Sequence, residues 1–242
     1  MLPRAHARRL RDIYRSAGWP SQDTIEVDLL AAGLLERLRS ADGHESLRLT
    51  DAGIQELSGA LQRNRAAFDA HEALVDAVAR QMHRGGRIVF TGLALRALVP
   101  VEEGQEGAGQ RWCIAKPDVF SVRHTSKEAF LAPAVHEVKV KRADVLGELK
   151  RPAKRAAYLD MSSEAWFVLG RDAKGREIAD ASELPLEFGV LQLAADTSRG
   201  DTARLELVRP APRRARSLPF AVWLALARAT PRSQQDDAQA RI

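Results

Sequence analysis

Three residues in two short stretches have the types and spacing of a hydrolytic site. "KPDVFSV" sets Asp118 directly after Pro117, and "AVHEVKVK" sets Glu137 and Lys139 two residues apart among valines. Charged side chains in an apolar strand are rarely buried without a partner or a ligand. With a period of two, Val135, Glu137, Lys139 and Lys141 share one face, and His136, Val138 and Val140 share the other. The second face is expected to pack on a core, while the first holds a carboxylate beside an ammonium. Enough chain separates Asp118 from Glu137 for two adjacent antiparallel strands and their turn, so the two carboxylates can be neighbours. Such a pair stays ionised only when a cation neutralises it. Hard oxygens from Asp118 and Glu137, with the Val138 carbonyl and water, suit Mg2+ or Mn2+. A lysine beside that metal can orient or help deprotonate a bound water, and the metal stabilises charge on a phosphate. The chemistry these residues point to is phosphodiester hydrolysis.

The surrounding stretches supply elements to position them. "RAAFDAHEALVDAVARQMHRGG" (65–86) is an amphipathic helix stopped by Gly-Gly, and "RIVFTG" (87–92) a short buried strand. "EEGQEGAGQ" (102–110) reads as a polar, Gly-rich loop. "RWCIAKPDVFSVR" (111–123) is extended, with a break at Pro117. After the strand bearing Glu137, residues 142–161 are helical, and Pro152 must kink that helix or begin a second one. "EAWFVLG" (164–170) is a continuous apolar strand of a covered sheet. "LEFGVLQLAA" and "ARLELVRPA" read as later strands, and a helix is expected around Trp223. The polar end, 231–242, is expected to be disordered.

Pro117-Asp118 followed by Glu137-Val138-Lys139 resembles the PD-(D/E)XK nuclease superfamily, of restriction-endonuclease-like fold. The order helix, strand, strand with Asp, strand with ExK, helix, strand is similar to that family's. More narrowly, "HEVKVKRADVLGELKRPAKRAAYL…AWFVLG" resembles the MmcB-like DNA-repair endonucleases, over roughly residues 65–170. The resemblance implies an α/β mixed-sheet nuclease domain over 65–230, with Asp118 and Glu137 as metal ligands and Lys139 as the catalytic lysine. Many members carry an acidic residue on the first core helix, and Glu72 matches it, sharing a stripe with Phe68, Val75 and Ala79. Lys154 and Tyr158 share a helical face where RecB-like members carry a Gln-x-x-x-Tyr pair; here Lys replaces Gln. Lys150, Arg151, Lys154 and Arg155, with Lys141 and Tyr158, are expected to contact nucleic acid. Catalytically inactive relatives exist as a class, so a structural ion pair on a strand is the competing reading of Glu137 and Lys139.

Residues 1–64 read as a separate unit of helix, helix, hairpin and helix. "AGLLERLRSADGHESLRLTDAGIQEL" resembles the winged-helix modules of bacterial regulators, with an Asp-Gly hairpin turn and Thr50 as an N-cap. It departs from them in its recognition segment, "TIEVDLLAAG", which has Glu26 and Asp28 but no Lys or Arg. The module is therefore expected to dock on protein, as a partner or a second copy of the chain, or to hold DNA through Arg37, Arg39 and Arg48.

Composition agrees with an anionic partner but does not require one: the net charge is +5 and the pI about 9.7. A single cysteine, Cys113, excludes an intrachain disulfide and a Cys-rich zinc site and suits a reducing cytoplasm. No apolar run is long enough for a membrane helix. The start lacks the apolar centre of a signal peptide. His71, His83, His124 and His136 have no metal-ligand spacing, and no P-loop or GxGxxG occurs. The expectation is a cytoplasmic, metal-dependent endodeoxyribonuclease of repair or phage defence. The alternative is a non-catalytic DNA-binding or regulatory protein with an inactive nuclease-like scaffold.

Overall fold

A computed structural model describes residues 2–16, 18–100, 109–195 and 203–233. The expected glycine-rich loop lies mostly outside them, as does the end of the chain from residue 234. The chain divides into two compact units, Met1–Phe68 and Asp69–Ile242, four residues later than expected.

In the first unit, α1 (Arg4–Arg15) and α2 (Thr24–Ala31) pack on the antiparallel hairpin of β1 (Leu35–Arg39) and β2 (Glu45–Leu49). Its core is Leu10, Ile13, Leu29, Leu35, Leu47, Leu49 and Leu57. The order helix, helix, hairpin, helix is as expected, and α3 (Asp51–Arg84) begins here. Thr50 caps α3: its Oγ1 accepts from Gly53 N at 3.1 Å and donates to Gly33 O at 2.7 Å. A Cβ on Gly53 would lie 2.1 Å from Leu34 O, so only glycine lets the helix start this close to β1. Glu26, read from sequence as a feature of a recognition surface, is fully buried. It accepts from Ser21 N, Gln22 N and Arg37. Two of the hairpin arginines are paired, Arg37 with Glu26 and Glu45, and Arg48 with Glu36.

The second unit is mixed α/β. Its six-stranded sheet has the order β10 (Leu205–Arg209), β9 (Gly189–Leu193), β8 (Glu164–Leu169), β7 (Ala134–Lys139), β6 (Val119–Arg123), β3 (Arg87–Thr91). β7, β8 and β9 run parallel; the remaining pairs are antiparallel. A second hairpin, β4 (Leu95–Pro100) with β5 (Gln110–Ala115), stands apart from that sheet. Among the described residues the unit also has three further α-helices, α4 (Arg142–Leu149), α5 (Pro152–Met161) and α6 (Phe220–Arg228). Pro152 sits at the first turn of α5 and so starts a helix rather than kinking one.

Both faces of the sheet are covered. The C-terminal part of α3 supplies Leu74, Val75, Val78 and Ala79 against Val89, Val119, Val138 and Val168. On the other face, Phe120, Val135, Ala165 and Phe167 meet Ala157, Tyr158 and Met161 of α5 and Leu95, Ala97 and Val99 of β4. The strand bearing Glu137 is therefore buried on both sides, not on the expected one: Val135 and Val138 lie in opposite cores. The tail departs from expectation where it is described, since Arg232 donates from its backbone to Val89 O at 2.8 Å and from its side chain to Asp76 at 2.6 Å.

Candidate functional site

β6 and β7 are antiparallel, with Val119 opposite His136 as their last ladder pair at this end. One further step along that register sets Asp118 opposite Glu137, on the face that also holds Phe120 and Val135. Asp118 Oδ2 accepts from Val138 N at 2.7 Å, which fixes the carboxylate at the strand end. Val138 thus reaches the cluster through its N–H, where its carbonyl was the expected contribution.

Glu137 is the centre of a buried polar network. Its Oε1 accepts from Lys139 Nζ at 2.5 Å and from Lys154 Nζ at 2.7 Å, and its Oε2 accepts from Tyr158 OH at 2.6 Å. Lys154 also donates to Glu148 Oε2 at 2.9 Å, and Lys139 lies 3.4 Å from the same oxygen. The side chains of Glu137 and Glu148 are each 3% exposed, those of Lys139 and Lys154 11% and 19%. Burial that deep is tolerable for ions only because each has partners. Burial opposes the Lys139 charge, but Glu137 and Glu148 outweigh it and push the ammonium pKa up. Burial and the Glu137 carboxylate together push the Tyr158 phenol far up, so it stays a donor. Glu148 Oε1 is buried with no partner.

Asp118 has a second neighbour. His71 Nε2 lies 3.4 Å from Asp118 Oδ1, and His71 Nδ1 lies 3.1 Å from Glu72. The hydrogen bond to Asp118 raises the His71 pKa against its partial burial. Burial would raise Asp118, but His71, the Val138 N–H and Lys139 prevail and hold its carboxyl below the usual carboxylate range.

The expected residues are therefore only partly assembled. Asp118, Glu137, Lys139, Lys154 and Tyr158 come together. Glu72 does not join them: it is about half exposed and touches His71, because the sheet-facing stripe of α3 runs through His71, Leu74, Val75 and Val78, with Phe68 exposed. The expected phosphate-contacting patch also divides. Lys141, Lys150 and Arg151 are exposed. Lys154 and Tyr158 turn inward on the buried stripe of α5, and Arg155 caps α4 by donating to Glu148 O and Leu149 O at 2.7 and 2.8 Å. Sequence reasoning missed His71 and Glu148. Both lie on buried stripes legible at helical spacing, His71 with Leu74 and Val75, and Glu148 with Val145 and Leu149.

No three His, Cys, Asp or Glu side chains converge as a ready metal cage among the described residues. Mg2+ typically takes one or two protein carboxylates and keeps several waters, so Asp118 and Glu137 are the residues here that could hold one. Asp118 and Glu137 offer hard oxygens at facing strand positions. The cations now on Glu137 Oε1 are side-chain ammoniums, which occupy a position that favours positive charge.

No family model, curated protein or solved structure matches this chain. No helix among the described residues is long and apolar enough to cross a membrane.

Proposed function

We propose that the chain is a metal-dependent nuclease that hydrolyses phosphodiester bonds of DNA. The observation that carries this reading is the junction of Asp118, at the end of β6, with Glu137 and Lys139 on β7, a carboxylate pair beside a buried ammonium. Asp118 and Glu137 would hold Mg2+ or Mn2+. When bound, such an ion polarises a phosphate and lowers the pKa of a water. Lys139, with three N–H donors on Nζ, can turn one toward the attacking water or a non-bridging phosphate oxygen. Tyr158 and Lys154 hold the Glu137 carboxylate in one orientation, and His71 with the Val138 N–H does the same for Asp118. Exposed Lys141, Lys150 and Arg151 flank α4 and can meet the backbone of the nucleic acid. The winged-helix-like first unit is the proposed docking module, for protein or for DNA.

A second reading is favoured by one observation: both oxygens of Glu137 already have protein partners. On that reading the cluster is a structural ion network and the chain binds DNA without cutting it. Incubation with single-stranded, duplex and branched DNA in Mg2+, Mn2+ or EDTA separates the two. Cleavage that requires the metal and disappears in Asp118→Ala and Lys139→Ala supports the nuclease. An uncut panel, or variants that cut as well as the wild type, sinks it.

A further inference from the structure

The second unit carries an exposed apolar groove that the hydrolytic cluster does not use. One wall is the outer face of the β4–β5 hairpin. Leu95, Ala97 and Val99 point into the core, which leaves Arg96 opposite Ile114 and Leu98 opposite Trp112 on the outside. The other wall is α6. Val222 and Leu226 are buried, so Phe220, Leu224 and Arg228, at intervals of four, form the opposite ridge. Trp112 is 61% exposed and Phe220 79%, which is unusual for aromatic side chains sharing one groove. The groove's charged residues are Arg96 and Arg228, and no carboxylate lines it. Neither arginine forms an ion pair among the described residues.

A partner for this surface has to satisfy two demands at once. It needs flat apolar groups for Trp112 and Phe220, and negative charge for the two arginines. An apolar peptide meets only the first demand, and a duplex, with its bases stacked inside, only the second. Unpaired nucleotides meet both: each base offers a π-face for stacking, and each linkage carries a phosphate. We infer that the groove between the β4–β5 hairpin and α6 binds single-stranded nucleic acid, with bases stacked on Trp112 and Phe220 and phosphates held by Arg96 and Arg228. This rests on the reading of the chain as a protein that acts on nucleic acid, and it narrows the substrate to one with an unpaired segment.

The test is a binding titration of the full chain in EDTA, where no metal-dependent cutting occurs. The probes are fluorescein-labelled dT15, rU15 and a 15-base-pair duplex, read by anisotropy and by tryptophan quenching. Tighter binding of dT15 or rU15 than of the duplex is expected, and the ratio of the two shows whether the sugar is read. Trp112→Ala and Phe220→Ala should each weaken the single strand about 5- to 150-fold, the usual range for one lost base-stacking contact. Arg96→Gln with Arg228→Gln should lower the slope of log affinity against log salt by roughly one unit or more. All four side chains are exposed, so circular dichroism and thermal melting should stay at wild-type values. Equal binding of duplex and single strand overturns the proposal, as does single-strand binding unaffected by the aromatic variants. Concentration-dependent dimerisation abolished by Trp112→Ala, with no oligonucleotide bound, also overturns it and assigns the groove to a second copy of the chain. Binding in EDTA does not need the chemistry, so loss of the nuclease reading through uncut DNA leaves this result intact, and the reverse also holds.

Discussion

Lys154 offers the sharpest perturbation of the buried network. Its ammonium bridges Glu137 Oε1 at 2.7 Å and Glu148 Oε2 at 2.9 Å. Lys154→Met keeps most of the aliphatic stem but deletes the charge, and with it the ammonium that lies 5.2 Å from the Tyr158 ring centroid. Glu137 keeps Lys139 and Tyr158, but Glu148 keeps only Lys139, at 3.4 Å. Removing one partner of a buried ion pair costs about 3–5 kcal/mol. Because Lys139 still serves both carboxylates, the lower end, about 3 kcal/mol, is the expected loss. At about 2–4 °C per kcal/mol for a unit of this size, the melting temperature should fall by roughly 6–12 °C. Lys154→Met combined with Glu148→Leu removes the stranded charge along with its partner and should recover most of the loss, since apolar replacement of a buried pair is often neutral or better. The assay is a double-mutant cycle by chemical denaturation, with an expected coupling of about 1.5 kcal/mol or more between the two sites. A single variant within about 0.5 kcal/mol of wild type, or simple additivity, would refute the claim that these two lysines hold two buried carboxylates in place.

Two further outcomes follow from the same strands. His136 is buried, stacked near Trp166 at 6.2 Å, and burial with the Arg87 charge pushes its pKa down to about 3. Protonation therefore favours the unfolded chain between pH 6.5 and 3, so stability falls as pH falls through that window; at pH 5 the loss is about 2 kcal/mol, and His136→Phe should flatten the slope. His71 has the opposite sign, because its raised pKa adds stability that is lost as pH rises above 6.5 through the folded value, so it does not mask the acid limb. Mg2+ or Mn2+ at ten times its dissociation constant should stabilise the chain by about 1.4 kcal/mol, or roughly 3–6 °C in a thermal shift. Asp118→Asn should abolish that gain, and a shift of equal size in the variant would move the ion away from Asp118.

The parts of this site that could be read from sequence are those set by local periodicity. A period of two put Glu137 and Lys139 on one strand face, and the short connection back to Asp118 made the two strands neighbours. Proline chemistry narrowed Pro152 to a kink or a helix start, and the structure makes it the start of α5; the cap at Thr50 fixed the start of α3. The β4 strand was missed because "LRALVP" alternates only weakly, with Leu98 and Pro100 on its outer face. Glu72 was chosen over His71 by a shift of one residue on a helix, which rotates the side chain by about 100° and moves it from the sheet to solvent. Glu148 was passed over because its partner lies on the next helix, and nothing local announces that pairing.

The charge balance of the cluster bears on which reading of it is right. Three carboxylates, Asp118, Glu137 and Glu148, face two ammoniums, Lys139 and Lys154. A network that served stability alone would be expected to match its charges, because each uncompensated buried ion costs several kcal/mol. Here one negative charge is left over, relieved only in part by a histidine at 3.4 Å, and one carboxylate oxygen, Glu148 Oε1, is buried without a partner. On the nuclease reading, a further cation beside Asp118 would meet that surplus. Counted with the three carboxylates and two ammoniums, a divalent ion would take the cluster from one negative charge to one positive, which a phosphate of the substrate could then meet.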